Sequence, residues 1–190
     1  MYILGDIGNS ESKVFLVNSK NKVIKNMIFP SKEINNNLLK SKFRYLVKDF
    51  NKIEKILFCS VVPKSFRLIK NFLSKNTKIR CYEIKDLKLK SLINVKVNFN
   101  QVGSDRLTNA ISLANNHKNY VILDFGTATT FDVLIKNSYS GGIIAPGVRL
   151  SLNTLADKAT LIPKINLKQI KKVIGCDTIS AVRSGFFWGY

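Results

Sequence analysis

The chain opens on short runs in which apolar and polar residues alternate, the period of a strand with one buried face. Tyr2–Gly8 is apolar and closes in turn residues, Lys13–Asn18 alternates, and Val23–Phe29 follows the polar turn Ser19–Asn21. The period then changes: Leu38, Leu39, Phe43, Leu46 and Val47 recur at intervals of three and four, which predicts a helix. Lys55–Val62 reads as a buried strand. Pro63 starts a helix carrying Phe66, Leu68, Ile69 and Phe72, and Lys78–Ile84 reads as another strand. The order predicted for the first half is βββαβαβ.

After the basic segment Lys85–Leu92, a helix is predicted over Gly103–Asn115, with Leu107, Ala110, Ile111 and Leu113 on its apolar stripe. Three strands follow at Asn119–Phe125, Thr129–Lys136 and Tyr139–Ala145, the last two joined by a tight turn at Asn137–Ser138. Helices are predicted from Gly147 to about Asp157 and over Ala181–Tyr190.

The two halves repeat. Residues 6–17 read DIGNSESKVFLV and residues 124–135 read DFGTATTFDVLI, so Asp6 meets Asp124 and Gly8 meets Gly126. Each copy is a strand, an Asp-x-Gly turn rich in hydroxyls, a second and third strand, then a helix. The pattern predicts an α/β protein of two related domains, 1–100 and 101–190.

Composition narrows the class. The 190 residues suffice for one ordinary domain or two small ones, and 45% hydrophobic with 23% charged residues excludes disordered and fibrous chains. No apolar run approaches the ~18 residues of a membrane helix. Asp6 arrives too early for a signal-peptide core, so a soluble cytoplasmic protein with no membrane association is expected.

The net charge is +19. Lysines far outnumber the six arginines and are spread over Lys20–Lys25, Lys85–Lys90 and Lys168–Lys172, while Asn and Ile are also abundant. That pattern suits AT-rich coding better than a recognition face, and no aromatic-interleaved basic segment occurs. Attraction of anionic substrates is expected rather than specific nucleic-acid binding. Cys59, Cys81 and Cys176 form no CxxC, and the single His117 has no neighbouring ligand, so no zinc-type site is expected. All three cysteines read as buried reduced thiols, and His117 as a surface imidazole in the polar turn Asn115–Asn119.

The chemistry lies in the repeated turns. An Asp at a strand end can hold a metal ion or its waters, and the Gly after it lets backbone N–H groups approach phosphate oxygens. Asn9, Ser10, Ser12 and Lys13 add donors to the first turn. One such turn is commonly a plain hairpin. Two in one chain could clamp a polyphosphate from both sides.

The pair resembles the phosphate loops of the sugar kinase, actin and heat-shock ATPase superfamily. Further motifs follow in order: Gly-Ser-Asp-Arg at 103–106, DFGTATT at 124–130, GGIIAPG at 141–147 and Gly-Cys-Asp-Thr at 175–178. With DIGN at 6–9, this ordered set resembles type III pantothenate kinase over nearly the whole chain.

The resemblance implies two ribonuclease-H-like domains facing across a cleft, and ATP-dependent phosphorylation of pantothenate to 4'-phosphopantothenate, the first step of coenzyme A synthesis. It implies an ATP phosphate loop at Asp6, Ile7, Gly8, Asn9, Ser10, Glu11, Ser12 and Lys13, with Thr127 as a further ATP contact. Gly103, Ser104, Asp105 and Arg106 would line the pantothenate site, with Asp105 the general base; Thr178 would reach it from the partner subunit or the rear of the cleft. Asp124 would hold a monovalent cation, potassium or ammonium, and Mg2+ would arrive with the nucleotide. A homodimer is implied. Arg106 has the right chemistry to grip the pantothenate carboxylate bidentately.

Two positions depart from the family pattern. A tyrosine and a proline ahead of the G-x-DR motif are replaced by Lys96 and Phe99, of which Phe99 could stand in as the aromatic contact. The second domain is also expected to be incomplete, lacking the closing strand and helices that the first has. A truncated kinase of weak or no activity is then expected, with Phe186, Phe187, Trp188 and Tyr190 partly in solvent. The alternatives are an accessory regulator without kinase activity, against which the intact Asp6, Asp105 and Asp124 stand, and a basic nucleic-acid binder.

Overall fold

The computed structural model describes residues 1–44 and 47–190. It has an α/β architecture with two sheets. The first half runs β1 (Tyr2–Ile7), β2 (Glu11–Val17), β3 (Val23–Pro30), α1 (Asn36–Phe43), β4 (Lys55–Ser60), α2 (Pro63–Asn76) and β5 (Cys81–Glu83). The first sheet has the order β3-β2-β1-β4-β5, the ribonuclease-H-like arrangement. β1 pairs antiparallel with β2 and parallel with β4, so the first turn sits between strands of both kinds.

Local signals place these elements. Asn35 caps α1 by accepting from the Asn37 and Leu38 amides, and Pro63 begins α2 where its missing N–H costs nothing. The helices and sheet share a core that includes Ile3, Ile7, Val14, Phe58, Ile69 and Leu73, all fully buried. Each such side chain contributes about 1.5–3 kcal/mol through burial. The Phe43 and Phe72 rings join α1 to α2 at 5.4 Å.

The second half runs β6 (Asn94–Val95), α3 (Ser104–Leu113), β7 (Asn119–Phe125), β8 (Ala128–Ile135), β9 (Ser138–Pro146), α4 (Val148–Lys158) and α5 (Thr178–Gly189). The second sheet has the order β6-β9-β8-β7, with β6 parallel to β9. Two compact units are distinguished: Met1–Tyr120 with Val133–Gly141, and Val121–Asp132 with Gly142–Tyr190. α3 belongs to the first because it packs on β4 with Leu107 and Ala110 fully buried.

Four details differ from the sequence reading. The helix expected through Leu46 and Val47 ends at Phe43; Leu46 lies outside the described residues, and a short 3-10 helix begins at Val47. The strand expected over Lys78–Ile84 is only Cys81–Glu83. At its start the Ile79 amide turns to Thr77 Oγ1, and at its end Glu83 caps a 3-10 turn, so neither flank offers a ladder. The short strand β6 was not anticipated, since Asn94–Val95 carries no alternation long enough to register. α5 starts at Thr178 because Asp177 caps it, its carboxylate accepting from the Ser180 amide at 2.9 Å. That amide holds the Asp177 carboxyl below its ordinary value.

The cysteines are also less uniform than expected. Cys81 is buried and Cys59 half-buried, but Cys176 is exposed in the turn before α5. His117 is exposed, as expected. At the end of the chain Phe187, Trp188 and Tyr190 are exposed, as expected, while Tyr190 Oη donates to the Pro146 carbonyl at 3.1 Å and pairs with Ser151 Oγ. Among the described residues no helix is long and apolar enough to cross a membrane.

Candidate active site

The first unit gathers most of the candidate residues. β1 delivers Asp6 near its end, and the chain turns back through Gly8, whose amide donates to the Glu11 carbonyl at 3.0 Å. Asn9, Ser10 and Glu11 are exposed at the tip, whereas Ile7 is core. Ser12 is fully buried, and its hydroxyl is spent inside the protein. Ser31 Oγ gives its proton to the Gly8 carbonyl at 2.6 Å, so Ser12 Oγ donates to Ser31 Oγ at 2.8 Å. The Ser31 amide closes the arrangement on the Ser10 carbonyl at 3.0 Å. Two serines thus pin the turn from behind, with its tip exposed.

Sheet register sets the neighbours of Asp6. Lys13 is its direct partner on β2, and Cys59 its direct partner on β4. Directly paired residues leave the sheet on one face with Cβ atoms ~4.5–5.5 Å apart. Asp6 therefore shares its face of the sheet with the Lys13 and Cys59 side chains of the two neighbouring strands. The Cys59 S–H donates to Asp6 Oδ1 at 3.4 Å. Burial first, and the Asp6 charge second, push the Cys59 thiol up to about 12.

α3 delivers the second carboxylate. Gly103 is its N-cap, and Asp105 lies in the first turn, where aligned amides favour negative charge. Asp105 Oδ1 accepts from the Arg106 amide at 2.8 Å. The carboxyl folds back so closely that a β-carbon on Gly103 would stand 2.4 Å from Oδ1. Any side chain at this position would displace the Asp105 carboxylate. Ser104 is buried, and its carbonyl accepts from Thr108 Oγ1 at 2.7 Å. The Thr108 hydroxyl and the Asp105 charge both lie near enough to act on the Cys59 thiol. Asp6, Cys59, Thr108 and Asp105 thus form one connected group within one unit.

Arg106 lies over the ring of Tyr139, with Cζ 6.0 Å from the centroid. Tyr139 is itself buried and takes the Lys96 amide on its carbonyl at 3.0 Å. β9 thus supplies an aromatic face for Arg106. Phe99 instead carries the Lys85 ammonium over its ring at 5.4 Å.

The second unit holds the other turn. Asp124, Gly126 and Thr127 are exposed at the end of β7, and the Gly126 amide donates to the Ala128 carbonyl at 2.9 Å. The Gly147 amide donates to the Thr127 carbonyl at 2.9 Å. A β-carbon on Gly147 would stand 2.3 Å from the Gly126 carbonyl oxygen and 2.6 Å from that of Thr127. The Pro146–Gly147 motif is therefore the seat of the second turn. Thr178 is the first residue of α5 and exposed. Among the described residues no group of three or more His, Cys, Asp or Glu side chains forms a metal cage. A cation at Asp124 would draw on oxygen donors, which suits a hard ion.

Carboxylates at strand ends, two glycine turns and a helix-borne acid define a phosphate-handling α/β kinase. The family model for type III pantothenate kinase matches residues 2–190. The chain is 61% identical over 190 residues to the type III pantothenate kinase of Pelagibacter ubique (strain HTCC1062), covering 77% of that protein. It is 34% identical to that of Sulfurihydrogenibium sp. (strain YO3AOP1), aligning over its full length and covering 78% of that protein. The chain belongs to the type III pantothenate kinase family. In fold it is similar to a solved structure described as a conserved putative Baf family transcriptional activator from Campylobacter jejuni, with a TM-score of 0.52 and 19% identity over 98% of this chain and 74% of that one.

Proposed function

We propose that this protein transfers the γ-phosphoryl group of ATP to the primary hydroxyl of pantothenate, giving 4'-phosphopantothenate and ADP, the first step of coenzyme A synthesis. The observation that carries the reading is Asp105, held at a helix start in the same unit as the Asp6 turn. Phosphoryl transfer asks a protein mainly for positioning and charge stabilisation, plus a carboxylate to orient the attacking hydroxyl.

In this reading Asp6–Lys13 cradle the ATP phosphates. Gly8 to Glu11 face the nucleotide, Lys13 supplies charge, and Ser12 holds the turn rather than the ligand. Thr127 adds a contact from the second turn. Gly103, Ser104, Asp105 and Arg106 bind pantothenate, with Asp105 taking the hydroxyl proton and Arg106 pairing with the substrate carboxylate. Thr178 contributes a hydroxyl to the same substrate. When bound, Mg2+ and a monovalent cation supply positive charge against the phosphates. Asp6 has the chemistry to hold the waters of the first, and Asp124 with neighbouring oxygens that of the second.

The halves 1–100 and 101–190 are read as copies of one ancestral unit. A cytoplasmic homodimer fits the reading, because Val121, Leu123 and Phe125 expose an apolar stripe along β7 that a second copy would cover. Sedimentation at micromolar concentration tests the dimer. A coupled ADP-release assay, with and without pantothenate and potassium, tests the activity: release that requires pantothenate supports it, and release indifferent to pantothenate refutes it.

A further inference from the structure

Cys59 lies in no sequence motif, and the reaction described above does not use it. It nonetheless stands between the two carboxylates on which that reaction rests. We propose that Cys59 is a positioning residue: its thiol, on the strand beside the ATP turn, fixes the Asp6 carboxylate. The proposal rests on the ATP reading of the Asp6 turn.

The proton count gives the direction of each bond. Thr108 has one hydroxyl proton, and the Ser104 carbonyl takes it at 2.7 Å. The Thr108 oxygen therefore meets the sulfur with a lone pair. The thiol proton then has two acceptors, a neutral hydroxyl and a carboxylate. The carboxylate is the stronger, and Asp6 Oδ1 lies at 3.4 Å, an ordinary length for a sulfur donor. A thiol is protonated in the neutral range even at its ordinary acidity, so it serves as the donor. It is neither a nucleophile nor a redox group there.

Two consequences follow for Asp6. Oδ1 is occupied, so the carboxylate is held in one rotamer with Oδ2 left for a metal-bound water. The donor also offsets part of the negative charge that would otherwise repel a polyphosphate. Both effects act on nucleotide binding more than on the chemical step.

The test compares the unmodified chain with Cys59→Ala and Cys59→Ser. ATP affinity is measured by calorimetry without pantothenate, and KM and kcat with it. Cys59→Ala is expected to weaken ATP about tenfold in both Kd and KM while kcat changes less than about threefold. Cys59→Ser, which restores an O–H donor at nearly the same place, is expected to recover most of the affinity. Equal ATP affinity in Cys59→Ala and the unmodified chain, or Cys59→Ser as weak as Cys59→Ala, overturns the proposal. If Cys59→Ala does not fold, Cys59→Val against Cys59→Ser carries the test: Val, which has no donor, is expected to bind ATP about tenfold more weakly than Ser, and no difference overturns the proposal. An unmodified chain that binds ATP in a Cys59-dependent way without phosphorylating pantothenate supports the proposal and refutes the kinase reading. A chain that does not bind ATP at all overturns both.

Discussion

Gly103 and Asp105 are in such close approach that a single methyl group on the glycine would stand 2.4 Å from the carboxylate oxygen. The obstacle is the end of a side chain rather than backbone, so the carboxylate can swing away. Gly103→Ala is therefore expected to fold with little loss of stability, yet to lower kcat about 10²-fold by displacing the base. A thermal melt and a turnover assay on one preparation check this; unchanged turnover would show that the carboxylate's folded-back position does not matter. Gly147 provides a contrast, since a methyl there meets the carbonyls of Gly126 and Thr127. Gly147→Ala is expected to cost stability as well as activity.

Removing the charge of Asp105 without changing its shape isolates its chemistry. Asp105→Asn is expected to cut turnover by ~10²–10⁴ while ATP still binds. Near-normal turnover in the folded variant would remove Asp105 from the role of base.

The second turn predicts a salt response. Asp124 is exposed at the end of β7, with Thr127 in the turn beyond it. Potassium or ammonium is expected to activate and sodium not, and the activation is expected to vanish in Asp124→Ala. Rates that are equal in the three chlorides at matched ionic strength would refute the cation assignment.

The buried thiols predict how stability falls at high pH. Burial lifts Cys81 from 9.0 to about 12, and burial with the Asp6 charge does the same for Cys59. Below pH 9.0 both thiols are protonated whether the chain is folded or not. As pH rises from there toward about 12, the unfolded chain loses these protons and the folded chain keeps them, so their contribution to stability is lost. Urea midpoints at about pH 8 and 11 are expected to fall less in Cys81→Ala than in the unmodified chain. Parallel slopes would contradict the burial effect. A maleimide at neutral pH should label the exposed Cys176 well before the other two.

The strand-turn-strand pattern, the two Asp-x-Gly turns and the Gly103–Arg106 helix start were all legible along the chain. Alternation, caps and glycine turns are local properties, set by residues within a few positions of one another, and the structure reproduces β7 at the residues expected. What the sequence did not reveal depends on pairs far apart. Asp6 and Cys59 meet only because β1 and β4 pair in parallel with a particular register, which no periodicity in either strand specifies. Ser12 looked like a ligand donor until Ser31, brought alongside by the β2–β3 hairpin, was seen to receive its proton. Arg106 lies over Tyr139, which β9 carries there from more than thirty positions along the chain. The sequence by itself determined the chemistry available at each turn, because that chemistry resides in single residues and their immediate neighbours. Only the tertiary structure decided which groups share a proton, because sheet register and helix packing set those distances to a fraction of an ångström.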